Sequence, residues 1–183
     1  QEVPPGLGPF HVPVELALVD EQGRDVDGSR RVFQLKENEA ELTLEHVLSP
    51  PAFASRNRDG SFYGTFRDET ATRETLRRQA RLDPNHFNRL EAMRHLTDEQ
   101  RIRLLEHMAE SIDEEWLDLY GEILDDTTLP SGLKAYFLRI DEQPLDREYC
   151  TWVRELVLAR EKLMLTVNRR YRDRLLKRFV NLD

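Results

Sequence analysis

Apolar positions along this 183-residue chain keep two different periods. Near the start, Val12, Val14, Leu16 and Leu18 alternate with Pro13, Glu15 and Ala17, the period of two expected when one face of a strand is buried. Asp20-Glu21-Gln22-Gly23 then reads as a turn in which Gly23 is free to take a positive φ. Val32-Phe33-Gln34-Leu35 predicts a second strand with Phe33 and Leu35 on one face. Lys36-Glu37-Asn38-Glu39 turns the chain, and Leu42-Thr43-Leu44 alternates again. A polar loop around Arg56-Asn57-Arg58-Asp59-Gly60 leads into a last predicted strand, Ser61 to Phe66. Short strands punctuated this regularly predict a small antiparallel β-sandwich, with Pro13 on an edge strand or at a strand start.

Beyond residue 66 the period changes to that of helices. Pro4, Pro5, Pro9, Pro13, Pro50 and Pro51 all precede the change, against Pro84, Pro130 and Pro144 after it. Leu82-Asp83-Pro84 carries a staple residue, an N-cap and a first-turn proline, with Phe87 placed to meet Leu82. Thr97-Asp98-Glu99-Gln100 has capping-box spacing ahead of Ile102, Leu105, Met108 and Ala109, and Ser111 to Glu114 repeats it before Trp116, Leu117, Tyr120, Ile123 and Leu124. Thr128-Leu129-Pro130 opens a shorter helix with Leu133, Phe137 and Leu138. Asp146 then caps a long stripe through Tyr149, Val153, Leu156, Leu163, Val167, Tyr171, Leu175 and Phe179, read as one helix across Asn168. Short connections predict antiparallel neighbours in a bundle or a HEAT-like array, without a fixed-period sequence repeat. The chain is thus an α+β sequence in two parts: a β-sandwich over residues 1–66 and a helical domain over 67–183.

Composition narrows the function classes. At 34% charged and 39% hydrophobic the chain has the means to bury a core. A net charge of −8 argues against a general phosphate-backbone binder, and the acidic excess is concentrated before residue 67. A single cysteine, Cys150, excludes an internal disulfide framework and a Cys-rich zinc module. No apolar run approaches the roughly 20 residues of a membrane span, so no membrane partner is expected. The first residue is Gln1 rather than Met, which predicts a piece of a longer polypeptide.

The side chains that carry chemistry are scattered. None of His11, His46, His86, His95 and His107 sits in H-E-x-x-H, where two imidazoles one turn apart share a face and the glutamate serves as base. His107 with Glu110, and Glu91 with His95, read as exposed helix-face neighbours, while His11 and His46 read as structural residues beside strands. Cys150, between Tyr149 and Trp152, reads as a buried and inert thiol with no histidine near it in sequence. Arg169, Arg170, Arg172, Arg174, Lys177 and Arg178 crowd the end of the last helix, opposed only by Asp173. A surface for nucleic acid or an acidic partner is one reading of this cluster. A solvated face complementing the helix dipole, or a contact surface uncovered by truncation, is the preferred one. No catalytic, cofactor-binding or metal-binding residue is expected.

Several stretches resemble, in order, the non-catalytic rear part of the bacterial aminopeptidase N family of zinc metallopeptidases. Gln1-Glu2-Val3-Pro4-Pro5, Pro9-Phe10-His11-Val12-Pro13-Val14 and Leu18-Val19-Asp20-Glu21-Gln22-Gly23 are similar to the start of its immunoglobulin-like third domain. Leu35 to Val47 is similar to the next hairpin, with Ser49-Pro50-Pro51 following. The most specific stretch is Phe87-Asn88-Arg89-Leu90-Glu91-Ala92, where the family opens its helical fourth domain and Leu90 replaces a tryptophan. Pro144-Leu145-Asp146 and the helix ending near Phe179 resemble a later helix.

The resemblance implies an Ig-like sandwich followed by the first helices of a cap over an active site. The parent enzyme would use zinc to remove N-terminal residues from peptides. It implies that zinc and its ligands belong to a catalytic domain absent from these residues, which would be this segment's partner, and that the location is cytoplasmic. A stand-alone adaptor binding proteins through an exposed apolar face is the alternative, and dimerisation through the open end of the helical array is a further expectation.

Overall fold

The structure, a computed structural model, describes residues 1–45, 47, 49–106, 111–141 and 147–180. His46, the His107 to Glu110 stretch and the Pro144-Leu145-Asp146 cap lie outside the described residues. The chain divides into two compact units, Gln1–Ala92 and Met93–Asp183.

In the first unit, β1 (Val12–Val19), β2 (Arg31–Leu35) and β3 (Phe53–Arg56) form one antiparallel sheet in the order β2-β1-β3. Val14 lies opposite Phe33 and Val12 opposite Leu35, while Ala17 faces Ser55 and Val19 faces Phe53. β1 is therefore central. Pro13 is tolerated there because β3 pairs only with Leu16 to Val19, leaving Pro13 beside β2 alone. Gly23 takes φ +74° as expected, and an added Cβ would lie 2.6 Å from the Leu82 carbonyl oxygen.

Two of the predicted strands are not formed. Leu42 to Leu44 and Ser61 to Phe66 have no ladder partner, and the third strand is instead Phe53–Arg56. Among the described residues there is one three-stranded sheet. The fully buried face also differs from the one the alternation suggests. Ala17 and Val19 are completely buried with Phe53 and Ser55, whereas Val12, Val14, Leu16 and Leu18 are only half-buried. The small-residue face is the one that lets α1 (Arg73–Leu82) pack closely on β3, with Ala80 fully buried.

The helical part begins with α1, capped by Thr72, whose hydroxyl accepts from the Thr75 N–H. α2 (His86–Glu106) starts in the first unit and continues into the second. Its cap is not Asp83: Asn85 Oδ1 accepts from the Asn88 N–H at 3.1 Å, and Asp83 closes α1 and bonds the Asn85 N–H. The capping box at Thr97 to Gln100 proves to be helix interior. Thr97 donates its hydroxyl to the Met93 carbonyl one turn back, which satisfies it without breaking the helix.

In the second unit α3 (Glu114–Asp125) is capped by Asp113, α4 spans Ser131–Phe137, and α5 runs unbroken from Val153 to Val180 through Asn168. Tyr149 and Cys150 lie in a separate 3-10 turn, Arg147–Thr151. The core gathers Trp116, Leu117, Ile123 and Phe137 with Leu156, Leu163 and Tyr171 of α5. Its polar edges are satisfied. The Trp116 indole donates to Thr97 Oγ1 at 3.1 Å, Tyr120 to the Leu138 carbonyl at 3.0 Å and Tyr171 to the Leu117 carbonyl at 2.6 Å. Tyr171 stacks on Tyr120 and fills the space left by Gly121, where a Cβ would come within 2.6 Å of the phenol oxygen.

Candidate functional site

Beyond β3, Asn57 leads into a tight 3-10 turn, Arg58–Gly60. Asn57 and Asp59 adopt positive φ (52° and 55°), a conformation these two residue types tolerate because their short polar side chains bond locally. The turn aims Arg58 inward, where it is 3% exposed. Its guanidinium grips Asp25 through two bonds of 2.8 and 2.6 Å, and its Nε donates to Ser55 Oγ at 2.9 Å. Ser55 is the hub: it also accepts from Asn88 Nδ2 and donates to Asp83 Oδ1. Arg58 lies 4.0 Å from that same carboxylate oxygen.

Burial lifts the Asp83 carboxyl above the usual carboxylate range, although the Asn85 N–H, Ser55 and Arg58 pull the other way. Burial works against the Arg58 charge too, but its bonds to Asp25 outweigh it and hold the guanidinium above its ordinary value. This cluster ties β3, the end of α1 and the start of α2 together. With Ser55 and Asp83 fully buried, it is a polar core rather than a reaction centre. From sequence this stretch is expected only as a polar loop. Its partners sit far apart in the chain, so only the density of Asn, Asp, Ser and Arg signalled it.

The other sequence-predicted residues are not brought together. His11, His86 and His95 are exposed at separate places, and no group of three His, Cys, Asp or Glu side chains capable of holding a metal occurs among the described residues. Cys150, expected to be buried, is exposed, because its 3-10 turn precedes α5 instead of forming its packed first turn. No described helix is long and apolar enough to cross a membrane.

The arginine cluster divides by helix face. Arg170 bridges Glu114 and Asp118 of α3, each at 2.6 Å; Arg174 bonds Asp125 and the Gly121 carbonyl, and Arg178 reaches Asp125 at 3.4 Å. These three arginines are a clasp between α5 and the acidic edge of α3, not a surface held open for phosphate. Arg174 also covers the Tyr171 ring at 4.6 Å. Arg169, Arg172 and Lys177 point outward.

The described residues thus form a small antiparallel sheet and a run of helices, with buried polar side chains that bond one another. Residues 73–183 match the family described as "Domain of unknown function (DUF3458_C) ARM repeats", and the chain belongs to that family. Among solved structures the fold is similar to Legionella pneumophila aminopeptidase A, determined in complex with aspartic acid. The TM-score is 0.70 at 17% identity, over 88% of this chain and 19% of that one. The chain thus spans about a fifth of the length of that enzyme. No curated protein matches the sequence.

Proposed function

We propose that this chain is a non-catalytic portion of a peptidase, in which the sheet unit is a spacer and the helices begin a repeat array that caps an active site. The observation that carries the reading is the fold it shares, over most of its length, with one part of an aminopeptidase. That likeness points to aminopeptidases generally and does not single out aminopeptidase N. Membership in an ARM-repeat family supports the array, since such repeats stack to form extended surfaces. In this reading the Ig-like sandwich is the parent domain's arrangement, and zinc, the hydrolytic water and the residues that bind a peptide's free amine belong to the parent's catalytic domain. The exposed thiol of Cys150 suits a reducing compartment, and the cytoplasm is the proposed location.

Determining the encoding frame upstream of Gln1 tests this. The expected result is H-E-x-x-H followed by a downstream glutamate. A start codon directly before Gln1 would overturn the reading in favour of a stand-alone adaptor, which the exposed apolar side chains of α5 (Phe179 is 75% exposed) would then serve.

A further inference from the structure

We propose that Asp83 is held as a neutral carboxylic acid whose proton sits on Oδ2, and that this proton locks the corner between α1 and α2. Donor and acceptor capacity in the buried cluster leaves the proton no other place. Ser55 Oγ receives two hydrogen bonds, from Arg58 Nε and from Asn88 Nδ2, each at 2.9 Å, and these fill its lone pairs. Its one hydrogen therefore goes to Asp83 Oδ1, 3.0 Å away. The Asn85 N–H donates to the same oxygen at 2.9 Å, so Oδ1 is filled as an acceptor. Oδ2 is buried and has no hydrogen-bond partner among the described residues. A charged oxygen in that position costs far more than a neutral hydroxyl.

The neighbouring charges do not offset a carboxylate here. Arg58 spends both terminal nitrogens on Asp25, in the loop after β1, and its Nε on Ser55. Its 4.0 Å approach to Asp83 is too long for a hydrogen bond. Glu15 of β1 also acts on Arg58 and is itself paired with Arg30. α2 faces the site with Asn85 and Asn88 at its start, and its Arg89 donates to the Ala80 carbonyl of α1. Ionising Asp83 would set a second carboxylate beside Asp25 with one guanidinium between them, and the upward shift of its titration agrees. Asp83 also closes α1 and fixes Asn85, whose Oδ1 caps α2. A carboxylate at this position regains solvation only by leaving it, which frees the Asn85 N–H and the cap behind it. The corner is therefore firm in acid and loosens as pH rises, the sign for a group that binds its proton more tightly in the folded chain. This lock is independent of the peptidase reading and stands or falls on its own.

Carbon-13 spectra of residues 1–183, labelled at the aspartate side-chain carboxyls, test it, with the Asp83 signal assigned by its loss in Asp83→Asn. At neutral pH that signal should keep the position of a protonated carboxyl while exposed aspartates show the ionised one. Asp83→Asn copies the neutral acid in shape, so it should fold and raise the urea midpoint at neutral pH. Amide exchange from Asp83 to Asn88, corrected for its intrinsic pH dependence, should speed up in the wild type as pH rises above the ordinary aspartate range. The slope should be about tenfold per pH unit until Asp83 ionises in the folded chain, and the variant should stay level. An ionised Asp83 signal at neutral pH would overturn the proposal. So would a variant that fails to fold or is the less stable chain at neutral pH, or corner exchange that follows the same course in both.

Discussion

The two units differ in what dominates their interiors, although each buries a paired arginine, Arg58 with Asp25 and Arg101 with Asp98. The second is held by large apolar and aromatic side chains, with Trp116, Phe137, Leu156, Leu163 and Tyr171 at 5% exposure or less and their few polar atoms directed to single acceptors. The first has small apolar contributions from Ala17, Val19, Phe53 and Ala80 around a charged and hydroxylated centre at Ser55, Arg58, Asp83 and Asn88. An apolar core draws strength from area and tolerates modest reshaping. A polar core is set by mutual satisfaction, so removing one member strands several others.

The difference is sharpest in two substitutions of similar size. Trp116→Ala should destabilise the second unit by about 3–5 kcal/mol, the range for losing a large buried aromatic. Arg58→Met should destabilise the first by a comparable ~3–5 kcal/mol although it conserves volume, because Asp25 and Asp83 lose the guanidinium beside them. Peptide-resolved hydrogen exchange would locate each loss. Spread of the Arg58→Met effect over α3 and α5 rather than residues 1–92 would break the distinction between the units. Gly121→Ala is next, at about 1–3 kcal/mol from overpacking against Tyr171, read as a lowered urea midpoint. Adding Tyr171→Phe should recover part of it by removing the clashing oxygen.

The pH response separates the units in kind. Asp83 has its pKa raised in the folded state. Between its ordinary and folded values the folded chain holds more protons, so this group's contribution to stability falls as pH rises. Asp83→Asn should flatten that decline, visible as a shrinking gap between variant and wild type as urea titrations move toward acid. In the second unit burial pushes Tyr120 up to about 12, and the same sign moves the loss of stability above pH 10. Absorbance at 295 nm should include a late tyrosinate component, and Tyr120→Phe should remove it. The smallest effect belongs to the exposed clasp: Arg170→Ala should lower the urea midpoint least of these substitutions, and less still in salt.

Sequence reached the elements whose local signals agree with their surroundings. The strand at Val12, the turn at Gly23, the short helix after Pro130 and the unbroken stripe of α5 were all legible from period and capping chemistry. β3 was not: Phe-Ala-Ser-Arg is short and half polar, and it is a strand because β1 offers an edge and Asn88 and Asp83 take its serine. Conversely, Thr97 to Gln100 imitates a cap but lies within α2, since Thr97 can bond its own preceding turn and also receive the Trp116 indole. The clasp of Arg170, Arg174 and Arg178 was visible only as a run of charge. Its meaning depends on Glu114, Asp118 and Asp125, more than forty positions earlier.

The proposal that these residues support a peptidase without containing its chemistry can be tested on the chain itself. Purified residues 1–183, supplied with zinc and then dialysed, can be assayed against a panel of aminoacyl-coumarin substrates while bound metal is quantified by elemental analysis. The expected result is no hydrolysis above the buffer rate and no stoichiometric zinc. Turnover that tracks one bound zinc per chain would contradict it.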